Sequence, residues 1–377
     1  MKKVAVLGGG RVGAAMARDM VASGFDVTVH DVSRHALARL SDACGTVESD
    51  LSDPSIVRDI ATSTDLVIGA VPSRLGFSVL RAVVSTGTPV VDISFFTEDP
   101  FELDTLAREH GSIAIVDAGI APGMSNVLFG RCRAELTKLD VFRCYVGGLP
   151  VERTWPWEYK APFAPADVIE EYTRPTRMIR SGSVVTVPAL TEPERIEFAS
   201  VGTLEAFNTD GLRSLLRFTD VSEMVEKTCR YPGHREWVEI LRETGFFSEQ
   251  AIELDGQSVV PRQLTEKLIF SAWQLEEEDE DVLCFRAVAE GETVGGDTTR
   301  ITFDLVDRYD RATRTTAMAR CTGYAATSMA RLIAAGHWRK TGIMAPESVG
   351  EESACYEFLM ADLAARGIEF VRQDGDE

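Results

Sequence analysis

Apolar and polar positions in the first third of the chain follow a strand-then-helix rhythm. Val4 to Leu7 is an unbroken apolar run, and Ala14-Ala15-Met16-Ala17 begins a stretch of helix formers that Gly24 stops. Phe25 to Val29 is a second apolar run, ending in His30-Asp31. Beyond it the pattern predicts a helix over 33–40, a short strand at 46–48, a helix over 54–61 and a strand over 65–71 that breaks at Pro72. A helix over 75–84, a strand over 89–93, a helix over 100–110 and a strand over 113–117 follow. Strands alternating with helices of this length imply an α/β fold with a doubly wound parallel sheet.

At Gly119 the rhythm breaks. A helix over 124–136 leads to Val141 to Val146, which alternates like an antiparallel strand, and then to a turn at Gly147-Gly148-Leu149-Pro150. A short helix is predicted over 166–172, strands over 184–187 and 194–198, and a polar turn at 207–211 ahead of a further helix. Strands over 283–289 and 300–307 follow, with Ile301, Phe303 and Leu305 alternating against Arg300, Thr302 and Asp304. This middle region reads as a mixed α+β domain with an antiparallel sheet. A long helix rich in small residues then runs from Ala312 to a stop at Gly336, with a helix over 353–366 and a strand over 368–371 behind it. The expected organisation is a nucleotide-binding domain from residues 1–122 and 310–377, with a substrate-binding and dimerisation domain inserted at 123–309.

Gly8, Gly10 and Gly13 give the first βαβ unit its chemistry, falling at G-x-G-x-x-G spacing between strand and helix. The first glycine permits a tight turn, the second lets backbone approach a pyrophosphate, and the third lets helix pack on strand. The helix then offers N–H groups, those of Arg11 and Val12 among them, to phosphate oxygens. Asp31 follows at about the twenty residues where a carboxylate meets the adenosine ribose. It would repel a 2′-phosphate, so a Rossmann-type sheet binding NAD rather than NADP is expected, with nearby Arg34 acting against that preference. Ligands of such sheets sit at the C-terminal strand ends. That places Val71, Pro72, Asp92 to Ser94 and the segment from Asp117 through Ala118 to Gly123 around the nicotinamide half, and Asp50 near the adenine.

A length of 377 residues suits two domains, and 39 basic against 59 acidic residues leave a net charge of −20. Nucleic acid and anionic membranes are therefore not expected partners, while a cationic substrate would suit the field. No apolar stretch approaches the roughly twenty residues of a membrane span. The first strand begins at Val4, leaving no room for an N-terminal signal, so a cytoplasmic protein is expected. The seven cysteines include no C-x-x-C pair, and neither a metal site nor a disulfide framework is indicated.

In the middle domain, Trp155-Pro156-Trp157-Glu158-Tyr159-Lys160-Ala161-Pro162-Phe163 sets two prolines and four aromatics around a Glu and a Lys. A lysine held among aromatics suits proton transfer when desolvated, and a snorkelling surface lysine is the alternative. The acidic run Glu276 to Asp281 reads as a solvated loop.

The combination of Gly8-Gly9-Gly10-Arg11-Val12-Gly13, Ala118-Gly119-Ile120-Ala121-Pro122-Gly123, Gly147-Gly148-Leu149-Pro150 and Arg230-Tyr231-Pro232-Gly233-His234 resembles the saccharopine dehydrogenase family. Tyr159-Lys160-Ala161-Pro162-Phe163, Asp167 to Pro175 and Thr209-Asp210-Gly211-Leu212-Arg213 are most similar to its lysine 6-dehydrogenase branch. The resemblance implies NAD-dependent oxidation at a carbon–nitrogen bond: for lysine, loss of the 6-amino group to 2-aminoadipate 6-semialdehyde, which cyclises, with release of ammonia. It also implies a homodimer formed through the inserted sheet. Such chemistry needs a group to take a proton from the amine, a cation for the distal carboxylate and an acid for the α-ammonium. Lys160 and His234 are the candidates for proton transfer, Arg174 and Arg230 for the carboxylate, and Glu158, Asp167 or Asp210 for ammonium groups. Tyr159 and Tyr172 stand beside them in these motifs. For each, a structural ion pair or a cap is the alternative role. A saccharopine-type reductase and a non-catalytic NAD-binding protein are the rival functions.

Overall fold

The computed structural model describes residues 2–162 and 165–375; Phe163 of the aromatic–proline loop lies outside them. The chain divides into two units, Met1–Glu135 with Ala319–Glu369, and Leu136–Met318 with Phe370–Glu377.

The first unit opens with β1 (Lys3–Leu7), α1 (Arg11–Ala22), β2 (Asp26–Asp31), α2 (Arg34–Ala38), β3 (Gly45–Glu48) and α3 (Pro54–Thr62). It continues through β4 (Leu66–Gly69), α4 (Ser73–Val84), β5 (Val90–Asp92), α5 (Asp104–Glu109), β6 (Ile113–Ile115) and α6 (Met124–Glu135). The second unit holds β7 (Lys138–Pro150), α7 (Pro165–Thr173), β8 (Thr176–Arg180), β9 (Ser183–Val187), β10 (Glu194–Phe198), β11 (Gly202–Asn208) and β12 (Glu223–Arg230). After these come α8 (His234–Glu243), a hairpin of β13 (Ile252–Leu254) and β14 (Gln257–Val259), α9 (Pro261–Trp273), β15 (Asp281–Glu292) and β16 (Thr298–Arg308). The chain then runs through α10 (Ala317–Ala334), β17 (Gly342–Met344), α11 (Glu347–Glu351), α12 (Ser353–Ala364) and a last strand, β18 (Val371–Gly375).

The first unit carries a seven-stranded sheet in the order β17-β6-β5-β4-β1-β2-β3, parallel throughout. This is the doubly wound Rossmann-type sheet expected from the sequence. Its central strands are buried on both faces, which is why Val4 to Leu7 and Leu66 to Ile68 are continuous apolar runs. A buried ion network ties its two chain segments together. Asp19 of α1 accepts from Arg331 of α10 at 2.7 Å and from Arg366 at 2.6 Å, and Arg331 reaches Asp362 of α12 at 2.6 Å. Loss of one member leaves buried charge unpaired, at a cost of about 3–5 kcal/mol.

The second unit is built on a mixed sheet ordered β10-β11-β12-β7-β15-β16-β18. Its pairs are antiparallel except β12 with β7, which run parallel. Two expectations are corrected here, and one unexpected strand is added. Gly147 to Pro150 is no turn but the end of β7. A Cβ at Gly147 would lie 2.7 Å from the carbonyl oxygen of Cys229, so the glycine serves close strand packing. The C-terminal strand pairs with β16 instead of completing the parallel sheet. The seventh strand of that sheet is β17, three residues whose apolar run is too short to stand out in the sequence. No described helix is long and apolar enough to cross a membrane.

Candidate active site

The glycine turn is closed by sterics. A Cβ at Gly8, where φ is +110°, would lie 2.3 Å from the carbonyl oxygen of Ala70, and one at Gly13 only 2.0 Å from that of Gly8. Gly10, by contrast, has open space where its Cβ would be, with nothing within 4 Å. Gly10 is also the N-cap of α1, and no side chain caps that helix. Arg11, Val12 and Gly13 form its first turn. Asp31, at the end of β2, accepts from Gly9 N at 2.6 Å through Oδ2 and from Ser33 N at 2.7 Å through Oδ1. Arg34, 84 % exposed, pairs with Glu48 at 2.6 Å. An open helix N-terminus, a glycine left bare where a phosphate would approach and a carboxylate at the end of β2 fit an adenine dinucleotide.

The other residues expected around the cofactor lie along the C-terminal ends of the strands. Val71 is buried after β4, and Pro72 caps α4. Ser94 is buried after β5, and Ala118 N continues the ladder by donating to Asp92 O at 3.0 Å. Asp50 follows β3 and is exposed, accepting from Ser52 N at 2.9 Å.

In the second unit a buried polar cluster gathers residues from four elements. Arg230, at the end of β12 and 3 % exposed, donates from Nε to the Tyr172 hydroxyl at 3.0 Å and from Nη1 to the Cys229 carbonyl at 3.0 Å. Its Nη2 reaches Glu171 Oε2 at 2.9 Å and the Tyr159 hydroxyl at 3.5 Å, and its guanidinium stacks 4.5 Å from the Tyr159 ring centre. Tyr172 bridges Arg230 to His234, whose Nε2 lies 3.0 Å from the phenol oxygen. The other imidazole nitrogen, Nδ1, faces the Trp157 carbonyl at 2.9 Å. A carbonyl can only accept, so Nδ1 carries the hydrogen and Nε2 accepts from Tyr172. Burial, seconded by the Arg230 charge, holds the His234 pKa down to about 3. Trp273 packs edge-on against Trp157 and Tyr159 at the base of this cluster. His234 is thus a sealed neutral imidazole with both nitrogens engaged, whereas Lys160, 23 % exposed, pairs with Asp279 at 2.5 Å.

Three of the remaining expected residues, Asp210, Glu158 and Arg174, are drawn into ion pairs. Asp210 takes a bidentate fork from Arg177 at 3.0 and 2.8 Å and also the Arg177 N–H. Glu158 pairs with Arg153, and Arg174 lies 3.7 Å from Glu170 on α7. Asp167 is half-buried on the same helix. Sequence reasoning passed over Glu171, Trp273 and Glu226, and it took Asp279 for part of a solvated loop. Glu171 stood one residue from Tyr172 on a short helix, a signal that could have been used. Asp279 is 119 residues from its lysine, and nothing local announces that pairing. Glu226 is 6 % exposed and accepts from Thr209 at 2.7 Å, and burial pushes its carboxyl up to about 8.

Comparison with known proteins places these two units. Residues 4–115 match the family model described as saccharopine dehydrogenase NADP binding domain, and residues 119–368 match saccharopine dehydrogenase C-terminal domain. The chain is 23 % identical over 283 residues to a saccharopine dehydrogenase [NADP(+), L-glutamate-forming] of Pyricularia oryzae, covering 71 % of this chain and 63 % of that one. It is 25 % identical over 277 residues to the enzyme of the same name from Saccharomyces cerevisiae, covering 68 % and 61 %. The matched region thus spans about three fifths of those relatives' length. Among solved structures, the apo L-Glu-forming saccharopine dehydrogenase of Saccharomyces cerevisiae aligns over 100 % of both chains with a TM-score of 0.81 at 19 % identity. A homospermidine synthase from Legionella pneumophila, solved with NAD, aligns over 100 % of this chain and 92 % of its own, with a TM-score of 0.68 at 11 % identity. These two likenesses share the fold. With its parallel nucleotide-binding sheet and a C-terminal-domain match that covers more than half its length, the chain belongs to the saccharopine dehydrogenase family.

Proposed function

We propose that the protein is an NAD-dependent amine dehydrogenase that removes the 6-amino group of L-lysine. The observation that carries this reading is the state of the arginines around the buried cluster. Arg177 is tied to Asp210, Arg153 to Glu158, Arg174 to Glu170, and Arg262 to Glu170, Glu249 and Glu266. Saccharopine carries three carboxylates and calls for several cations free to receive them. Lysine carries one, and Arg230 can receive it if Glu171, 30 % exposed, swings aside. The carboxylates of α7 and the net charge of −20 favour a substrate with two ammonium groups.

The nucleotide preference rests on Asp31, and Arg34, the cation that would favour a 2′-phosphate, is paired with Glu48. The fungal relatives are named for NADP, so this preference sets the chain apart from them. NAD, when bound, supplies the hydride acceptor. Lys160 with its partner Asp279 is the reachable proton-transfer pair: a proton leaves the 6-ammonium through it, and the neutral amine then loses a hydride from its carbon and becomes an iminium. The same pair then activates water, and hydrolysis releases ammonium and the aldehyde. His234 and Tyr172 do not exchange protons with substrate in this scheme; they hold Arg230 in place.

The test is a product assay. Lysine with NAD should give NADH and ammonia in equal amounts, while saccharopine with either nucleotide should give neither NADH nor NADPH. Glutamate release from saccharopine would favour the reductase-type function, and nucleotide binding without turnover of any amine would favour a sensor.

A further inference from the structure

The last residues of three neighbouring strands form a row at the C-terminal edge of the parallel sheet. Leu7 of β1 is in register with Gly69 of β4, and Gly69 with Asp92 of β5. One end of the row is the glycine turn, since Gly8 follows Leu7 and abuts Ala70. The other end is a carboxylate. Asp92 lies against the Cα of Gly69, where a Cβ would come within 2.8 Å of Oδ2. Asp92 is 1 % exposed and Ser94 is 4 % exposed. Oδ1 accepts from Ser94 N at 2.5 Å. Oδ2 of Asp92 and Oγ of Ser94 have no hydrogen-bond partner among the described residues, although the two side chains are neighbours. Buried polar atoms in a finished core are satisfied, so a pair left open at a strand end asks for an external partner.

We propose that Asp92 and Ser94 form a polar seat for the carboxamide of a bound nicotinamide ring. The proposal rests on the dinucleotide reading given above. A carboxamide presents an acceptor oxygen beside N–H donors, and a carboxyl O–H beside a hydroxyl oxygen is its complement. Asp92 serves as the protonated acid. Burial raises its pKa to about 6, the Ser94 N–H bonded to Oδ1 opposes that, and the Asp117 carboxylate beyond β6 adds to it. From β4 it meets Gly69, which brings no charge. The seat is therefore formed at low pH and loses its donor as pH rises, unless the ligand keeps the proton in place.

The experiment measures dissociation constants by calorimetry for NAD and for ADP-ribose, which lacks the nicotinamide, between about pH 5.5 and pH 8.5. For the unaltered protein, NAD affinity should fall by up to about tenfold per pH unit above about pH 6, while ADP-ribose affinity stays flat. Asp92→Asn keeps a donor that does not titrate, so it should bind NAD with a flat profile at the low-pH affinity of the parent. Ser94→Ala should weaken NAD about tenfold and leave ADP-ribose unchanged. Equal pH slopes for the two ligands, or an Asp92→Asn profile with the parent's slope, overturn the seat. If NAD and ADP-ribose both fail to bind at every pH, the dinucleotide reading falls and takes the seat with it. NAD binding with a flat profile overturns the seat alone.

Discussion

Substituting Gly10 separates a glycine kept for a ligand from one kept for the fold. Gly10 has φ −64° and ψ −175°, open to any residue, and its Cβ would meet nothing within 4 Å. Gly10→Ala therefore strains nothing in the free protein and should stabilise it by about 0.4–1 kcal/mol through a less flexible unfolded chain. The new methyl stands where backbone must approach the pyrophosphate. A loss of about 1.4–3 kcal/mol of nucleotide binding, tenfold to more than a hundredfold in Kd, is expected. Gly13→Ala is the contrast. Its Cβ would lie 2.0 Å from the carbonyl oxygen of Gly8, where carbon and oxygen ordinarily stand about 3.3 Å apart, so α1 must move by more than an ångström. Overpacking of that kind costs about 1–3 kcal/mol. Urea unfolding of each variant, beside calorimetric titration with NAD, reads both quantities. Gly10→Ala that keeps the parent's NAD affinity, or that loses stability as Gly13→Ala does, would refute the assignment of this turn to a nucleotide.

Three further outcomes follow from the same geometry. Asp31→Ser should narrow the preference for NAD over NADP, and equal Kd values for the two nucleotides in the unaltered protein would sink that preference. Lys160→Ala should lower kcat by about two to four orders of magnitude in a folded protein. His234→Ala should instead cost about 2–4 kcal/mol of stability by stranding the Tyr172 hydroxyl and the Trp157 carbonyl; a normal rate in the first and normal stability in the second would reverse those roles. Glu226 keeps its proton in the folded state up to about pH 8, while the unfolded chain loses it near pH 4.5. Stability should therefore fall by up to about 1.4 kcal/mol per pH unit between those values. Glu226→Gln should remove that slope, and denaturation midpoints at three pH values check it, since a gap that does not grow with pH contradicts the buried proton.

The parallel sheet was legible because both of its faces are buried, which turns each strand into an apolar run that local pattern exposes. The glycine spacing was legible for a related reason: at Gly8 and Gly13 backbone meets backbone, and only one residue type fits. β17 and β18 were harder. One has three residues, and the other is exposed along its whole length, so neither carries a periodic signal. The aromatic–proline loop pointed to the right region of the second unit, and it held Trp157, Tyr159 and Lys160. Roles within that region depend on partners far away in sequence. His234 looked like an acid–base group until Trp157 and Tyr172 were seen to occupy both of its nitrogens. Asp210 looked available for an ammonium until Arg177 was seen to fill it. Sequence shows which residues are polar and rare; only the fold shows which of them are already spoken for.

The claim that stands above the others is oxidative deamination of lysine with NAD. It is tested most directly by incubating the purified protein with L-lysine labelled with nitrogen-15 at the 6-amino group, adding NAD, and following NADH together with labelled ammonium. The account predicts that the two appear in equal amounts and that Lys160→Ala slows both alike, by about two to four orders of magnitude. NADH formed without labelled ammonium, or activity confined to saccharopine and NADP, would contradict it.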